Sequence, residues 1–254
     1  MPFKALFAGP GEKPVELRTP GDLRAAVREG KGCLWVDFEA PTEEDRRILQ
    51  ETFSFHRLAL ETCFGEIHHP RLHDYGDYVY LVIHALSKAE VKADAPPASD
   101  DDPPARRPGV ATEEIDIFLG ARCLVTWHRG PLAPVESVRR RALAIQSLME
   151  RGPDRVLAEL LDEVADGYVD VVERLNDAID GLETRLFRRT TGAPALREIF
   201  GLKKDVVHLR RIAGPQREVL NRLARGEFPV ISPDEALFFR DVYDHVYRTT
   251  EMLE

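Results

Sequence analysis

The chain has 254 residues, of which 43% are hydrophobic and 31% charged, and this composition is typical of a folded water-soluble protein rather than a disordered or membrane-embedded one. Its formal net charge of -9 argues against nucleic acid as a partner and favours cations. The longest apolar stretch, Tyr78 to Leu86, contains His84 and is far shorter than the ~18 residues that a membrane-spanning helix requires.

The N-terminus and the cysteines indicate a cytoplasmic compartment. The first residues lack the charged region, apolar run and small-residue cleavage site of a secretory signal. Cys33, Cys63 and Cys123 are widely spaced and match neither a disulfide framework nor paired zinc ligands. We therefore expect reduced cysteines in the core of a cytoplasmic protein.

Residues 1–150 alternate short β-type runs with helical ones, which predicts an α/β layered domain. The β-type runs are rich in β-branched and aromatic residues, and they lie at 34–38, 78–83, 115–119 and 123–127. Gly120 and Ala121 are a connection short enough to join the last two runs as an antiparallel hairpin. At least part of the sheet is therefore predicted to be antiparallel.

Two helices and one loop are predicted within this first part. A helix begins after Thr42, because Asp45 three residues later completes a capping-box arrangement. A second helix is predicted from about residue 134 to 150. Residues 92–109 contain several prolines and a run of aspartates without apolar periodicity, so they are predicted to form a mobile loop.

Residues 151–254 show helical periodicity throughout. Apolar residues recur at steps of three and four from Asp154 for about thirty residues. Residues 190–194 interrupt the pattern, and a second run follows that is predicted to bend at Gly214-Pro215. These two runs predict long antiparallel helices.

A third long helix is predicted to begin after Ser232. Ser232, Pro233 and Glu235 supply an N-cap, a proline at the first helical position and an acidic residue at the third. The apolar repeat continues to the last residues without a glycine or proline, so we expect the natural chain to continue beyond Glu254.

Acidic residues at helical spacing are candidate metal ligands on two of these helices. Asp241 and Asp244 share one side of the last helix with His245, and Asp162 and Asp166 are four residues apart on the first. Mg²⁺ prefers oxygen ligands and retains water, so one or two carboxylates would suffice to hold it. A solvent-exposed acidic face is the alternative interpretation of both patterns.

His68, His69 and His73 are a second candidate, because neutral imidazole suits zinc and other transition metals. Pro70 favours an extended or turn conformation there, so a surface loop without metal is the alternative. Known catalytic signatures, such as a phosphate-binding glycine loop or a His-Glu-x-x-His motif, are absent from the sequence. The arginine pairs and triplet lack interleaved aromatic residues, so they predict exposed faces or ion pairs rather than a nucleic-acid site.

Several motifs resemble the CorA family of magnesium and cobalt transporters. The C-terminal motifs are Pro215-Gln216-Arg217-Glu218-Val219-Leu220, Ile231-Ser232-Pro233 and Phe239-Arg240-Asp241-Val242-Tyr243-Asp244-His245. The N-terminal motifs are Trp35-Val36-Asp37, Pro41-Thr42-Glu43-Glu44, 56–61, Pro70-Arg71, 75–82 and Ile117-Phe118-Leu119. The resemblance spans nearly the whole chain.

The resemblance implies an α/β/α layered domain with a mixed sheet, followed by long antiparallel helices and a C-terminal stalk helix that enters the membrane. It also implies a homopentamer on the cytoplasmic side of the inner membrane. Family members carry two C-terminal membrane helices with a Gly-Met-Asn signature between them, and this sequence contains neither.

The resemblance further implies that carboxylates of neighbouring protomers bind Mg²⁺ and hold the pore closed. Asp241, Glu61 and Asp162 match acidic positions of that pattern. Thr62 stands where an aspartate is often found. Because this carboxylate is missing and extra histidines are present, a ZntB-like zinc transporter is an alternative interpretation. Co²⁺ and Zn²⁺ are therefore alternatives to Mg²⁺. A soluble metal-dependent hydrolase using the histidines and a cytosolic helical scaffold are the alternatives from other classes.

Overall fold

The computed structural model describes residues 3–87, 109–187 and 193–254. The predicted mobile loop lies outside the described residues except for Gly109. Within these ranges the strands are β1 (Lys4–Ala8), β2 (Val15–Leu17), β3 (Cys33–Glu39), β4 (Arg71–Asp74), β5 (Tyr78–Leu86), β6 (Thr112–Gly120) and β7 (Cys123–His128). The helices are α1 (Pro20–Glu29), α2 (Glu43–Phe53), α3 (Arg57–Cys63), α4 (Ala133–Ala144), α5 (Gln146–Glu150), α6 (Pro153–Phe187), α7 (Ala193–Ala224) and α8 (Pro233–Met252).

The described strands form one mixed sheet in the order β2-β1-β3-β7-β6-β5-β4. β3 pairs with β7 in parallel, and the other neighbouring pairs are antiparallel. The predicted hairpin is confirmed, because Leu119 of β6 lies opposite Leu124 of β7. The sequence reasoning missed β1, β2 and β4. β2 and β4 have three and four residues, too few for an alternating pattern to be recognised.

The sheet is covered by helices on both faces, which confirms the α/β/α layers. Alternate residues of β3 enter two separate cores. Trp35 packs with residues of α4 to α8, whereas Val36 and Phe38 pack with residues of α1, α2 and α3. A sheet buried on both faces has near-continuous apolar strands, and this explains the nearly unbroken apolar run from Tyr78 to Leu86 that forms β5.

Local signals position the helices around this sheet. Thr42 caps α2 and forms the predicted capping box with Asp45. The single helix predicted at 134–150 is two helices, α4 and α5, because the extended backbone of Ile145 separates them. α7 continues through Pro215, so the proline does not end the helix.

α6, α7 and α8 lie side by side. Tyr168 of α6 and Gln216 of α7 both hydrogen-bond to the backbone of His84, and since each lies about twenty residues from the α6–α7 connection, the two helices are antiparallel. The predicted helical hairpin is thereby confirmed. In the described part of the chain, no helix is both long and apolar enough to span a bilayer.

α8 is anchored to the beginning of α6 and runs parallel to it. Asp154 accepts hydrogen bonds from the backbone nitrogen and the hydroxyl of Ser232, at 2.9 and 2.8 Å. The same hydroxyl caps α8 by accepting from the backbone nitrogen of Glu235. The predicted helix start at Ser232 is therefore confirmed. The contacts of Ser232 with Asp154 also determine the position of α8 along α6.

Candidate metal centre

Asp162 and Asp166 lie one helical turn apart on α6, at the edge of its buried face. Leu161 and Ala165, which precede them, are buried, so both aspartates are placed just outside the core. Their side chains are 50% and 62% exposed. As predicted, the two aspartates lie on one side of the helix.

His245 of α8 faces this aspartate pair. Val242 and Val246 are buried and hold α8 in a rotation that directs His245 towards α6. Its Nδ1 atom lies 3.6 Å from an Oδ1 atom of Asp162 and 3.6 Å from an Oδ1 atom of Asp166. One donor atom from each of the three residues falls within 4.8 Å of the others.

The carboxylates of Asp162 and Asp166 lie close enough to repel each other. Partial burial raises the pKa of Asp162, the negative charge of Asp166 raises it further, and His245 acts in the opposite direction. Like charges at this helical spacing repel each other. A cation bound between them would remove the repulsion.

Two carboxylate oxygens and one imidazole nitrogen fit a divalent cation. Ligand atoms about 2.1 Å from an ion are about 3.0–3.4 Å apart in octahedral or tetrahedral geometry. The Nδ1 atom of His245 lies 3.6 Å from each aspartate oxygen, so small side-chain rotations would bring these atoms to ligand distances. The exposure of the aspartates leaves room for water ligands, which Mg²⁺ retains. The imidazole suits Co²⁺ or Zn²⁺ better than Mg²⁺.

The other predicted ligands lie elsewhere on the surface. Asp241 and Asp244 are exposed on α8, with Asp241 one turn before His245. Glu61 belongs to α3, on the opposite face of the sheet, and its carboxylate lies 2.7 Å from Arg57. In the described residues these three acidic side chains join no group of three potential ligands. Their role in metal binding stays a prediction.

The structure places His245 beside aspartates other than those with which the sequence grouped it. Its spacing from Asp241 suggested a site along α8 alone, whereas its structural partners are Asp162 and Asp166 of α6. The buried positions Val242 and Val246 on either side of His245 were the available signal, because they determine which side of the helix faces α6.

The histidines near residue 70 do not converge. His68 Nδ1 lies 3.4 Å from an Oε1 atom of Glu114. His73 belongs to the edge strand β4, so its placement in a surface loop was wrong. Within the residues that the structure describes, none of these histidines joins a group of three potential ligands.

The family model described as "CorA-like Mg2+ transporter protein" matches residues 30–254. The chain belongs to this family. The CorA-like chain is 30% identical over 220 residues to the putative metal ion transporter YfjQ of Bacillus subtilis, a match that covers 87% of this chain and 63% of YfjQ. It is 25% identical over 231 residues to the cobalt/magnesium transport protein CorA of Thermotoga maritima, covering 89% of this chain and 61% of that protein.

A solved structure supports the same fold. The soluble domain of CorA from Methanocaldococcus jannaschii superposes with a TM-score of 0.77 at 18% identity, covering 98% of this CorA-like chain and 90% of that one. Identity at this level establishes the fold alone. The CorA-like chain spans about three fifths of the length of the two relatives named above.

Proposed function

We propose that this chain is the cytoplasmic metal-sensing region of a divalent-cation transporter, in which bound Mg²⁺ gates the pore. Residues 1–150 would form the α/β/α sensing unit, and residues 151–254 the helical hairpin and the beginning of the stalk helix. The membrane helices would follow this region, in a homopentamer at the cytoplasmic face of the cell membrane. Family membership and the greater length of the relatives support this proposal.

The convergence of Asp162, Asp166 and His245 carries the sensing proposal. These side chains come from α6 and α8, so an ion bound to all three joins the proposed stalk helix to the helix that packs on the sheet. Without the ion, the two carboxylates repel each other, and within this cluster the helices are linked through the contacts of His245 with the two aspartates. Divalent cations would therefore stabilise one position of α8 relative to α6.

Further carboxylates are available for binding between protomers. Asp241 and Asp244 are exposed on α8, and Glu61 is exposed on α3. Exposed positions on opposite faces of a single chain can come together only in an oligomer, which agrees with the inter-protomer Mg²⁺ site that the family resemblance implies. Thr62 next to Glu61 supplies no charge, so this second site is expected to be weaker than one with a carboxylate there.

Thermal unfolding with and without Mg²⁺ or Co²⁺ tests the proposal. An ion that binds only the folded state stabilises it by mass action, by about 2.7 kcal/mol at a hundred times its Kd. We expect Asp162→Asn and Asp166→Asn to reduce the increase in Tm. Asp177→Asn is the matched control, because it removes the same charge from an exposed position of α6. Equal responses in all four proteins would contradict metal binding at this cluster.

A separate measurement tests binding between protomers. Sedimentation velocity should show association of the chain that increases with Mg²⁺ and decreases in Asp241→Asn. If Mg²⁺ leaves the sedimentation profile unchanged at every protein concentration, the inter-protomer site is rejected, whereas the intramolecular cluster is judged by the thermal experiment.

A zinc-transporting relative is the second candidate, and His245 favours it. Imidazole is a common zinc ligand and an uncommon magnesium ligand. In this alternative, Zn²⁺ should raise Tm at lower concentration than Mg²⁺, and His245→Ala should weaken the Zn²⁺ response more than the Mg²⁺ response. Equal loss of both responses would count against the zinc alternative.

A further inference from the structure

The tip of the α6–α7 hairpin exposes large apolar side chains. Phe187 is 87% exposed, Phe200 60%, Leu196 54% and Ile199 37%. Leu196, Ile199 and Phe200 are three and four residues apart, so they share one face of α7. We call these four residues the apolar tip. Several exposed large apolar side chains at one end of a helical hairpin indicate a candidate interaction surface.

The sequence around the apolar tip is basic although the protein is acidic. Residues 183–204 contain six lysines and arginines and two glutamates, in a chain with a net charge of -9. Lys203 and Lys204 are exposed and follow Phe200 by about one turn. Arg185 pairs with Glu198 at 2.6 Å, which joins the two helices just below the tip. Aromatic and aliphatic residues beside positive charge are typical of elements that bind anionic membrane surfaces.

The apolar tip also points in the direction in which α8 runs. His245 of α8 lies beside Asp166 of the parallel helix α6. From that level α8 continues for about two turns to Met252, whereas α6 continues for about six turns to Phe187. The tip therefore extends roughly 20 Å beyond the end of α8.

We infer that the apolar tip docks on the surface of an anionic lipid bilayer. Phe187 and Phe200 would enter the interfacial region while Lys203 and Lys204 contact lipid phosphates. A second copy of the tip is a poorer partner, because two basic surfaces would face each other. The direction of the membrane rests on the proposed function, whereas affinity for anionic lipid is a property of this chain alone.

Cosedimentation with lipid vesicles tests the docking. The 254-residue chain is mixed with phosphatidylcholine vesicles that contain about 30% phosphatidylglycerol, a model of an anionic leaflet, and with pure phosphatidylcholine vesicles. We expect binding to the anionic vesicles, and at least about a tenfold weaker affinity in Phe187→Ser/Phe200→Ser, since two interfacial aromatic anchors are lost. Lys203→Glu/Lys204→Glu should remove the preference for anionic lipid.

A matched control uses exposed apolar residues elsewhere. Val15→Ser/Leu237→Ser changes side chains that are 52% and 57% exposed and distant from the tip in the chain, and it should bind vesicles as the parent does. Circular dichroism should show all variants folded, because each substituted side chain is exposed. Equal loss of binding in the control and in the phenylalanine variant would overturn the assignment to the tip.

Two further outcomes overturn the inference. One is failure of the parent chain to bind anionic vesicles. The other is concentration-dependent dimerisation that the phenylalanine variant abolishes without any vesicle binding, which would assign the tip to a second copy. The assay is run with a chelator, so it is independent of the ion-dependent stability that tests the proposed function.

Discussion

The carboxylate of Asp154 binds both the backbone nitrogen and the hydroxyl of Ser232, and it thereby joins the first turn of α6 to the N-cap of α8. Asp154 is 4% exposed, so these hydrogen bonds are shielded from water. The nearby Glu235 is 2% exposed and pairs with Arg151 at 2.6 Å. The beginning of α8 is thus held by polar contacts from the first turn of α6 and from Arg151 at the end of α5.

Asp154→Ala should destabilise the chain and loosen α8. The change leaves the buried Ser232 contacts without an acceptor, at an expected cost of about 2–4 kcal/mol. Ser232→Ala removes the cap hydroxyl but keeps the backbone contact, so its cost should be about 1 kcal/mol. Urea unfolding measures both values. A smaller loss for Asp154→Ala than for Ser232→Ala would contradict this order.

Asp116 should make stability depend on pH in the range around neutrality. Burial raises the pKa of its carboxyl to about 8, while the hydrogen bond from Tyr80 acts in the opposite direction. The folded state therefore holds a proton that the unfolded chain releases above about pH 4. As the pH rises from 4 to 8, this residue reduces the free energy of unfolding by up to about 1.4 kcal/mol per pH unit.

Asp116→Asn removes this titration but can still accept the hydrogen bond from Tyr80. Urea unfolding of the parent and of the variant between pH 5 and pH 8, conditions chosen to span roughly that window, should show a stability advantage of the variant that grows with pH. Parallel stability curves for the two proteins would show that Asp116 does not titrate in this range.

Asp166→Asn should have opposite effects on the metal-free and the metal-bound protein. Without divalent ions the substitution removes the repulsion with Asp162, which should increase stability by about 0.2–0.5 kcal/mol at low ionic strength. With Mg²⁺ or Co²⁺ the variant should lose part of the ligand-dependent increase in Tm. Asp177→Asn should keep the full ligand-dependent increase in Tm, because Asp177 is not part of the cluster. If Asp166→Asn were less stable than the parent in the presence of a chelator, Asp166 would have a structural role instead.

Gln216 should contribute to stability through a single backbone contact. Its Oε1 atom accepts a hydrogen bond from the backbone nitrogen of His84 at 2.9 Å, and the residue is 2% exposed. Gln216→Met keeps the volume and removes the acceptor, so the cost should be about 1–3 kcal/mol. Faster amide exchange at His84, measured by NMR, would identify the lost bond as the cause. Unchanged exchange with reduced stability would point to packing.

The sequence predicted the fold where the signal was local. The cap at Ser232, the capping box at Thr42 and the hairpin around Gly120 depend on neighbouring residues, and all three occur in the structure. The strands β1 and β2 were missed, because their place in the sheet depends on the pairing of β1 with β3 and of β2 with β1 rather than on their own composition.

The candidate metal centre could be predicted only in part for the same reason. The spacing of Asp162 and Asp166 is visible in the sequence, but the approach of His245 depends on how α8 is rotated and displaced along α6. That geometry is determined by Asp154, Ser232 and the buried side chains between the helices. No short sequence motif encodes this position of α8 relative to α6.

The parallel pairing of β3 with β7 has a consequence for how the chain acquires its structure during synthesis. Asp37 of β3 and His128 of β7 are neighbours in the finished sheet but are 91 residues apart in sequence. During translation, the edge of β3 that pairs with β7 therefore stays unpaired until β7 has left the ribosome. Closing so long a loop is slow compared with forming the local hairpins on either side. The middle of the sheet is accordingly expected to be the last part to close, and the period before closure is when the nascent chain most needs protection from aggregation.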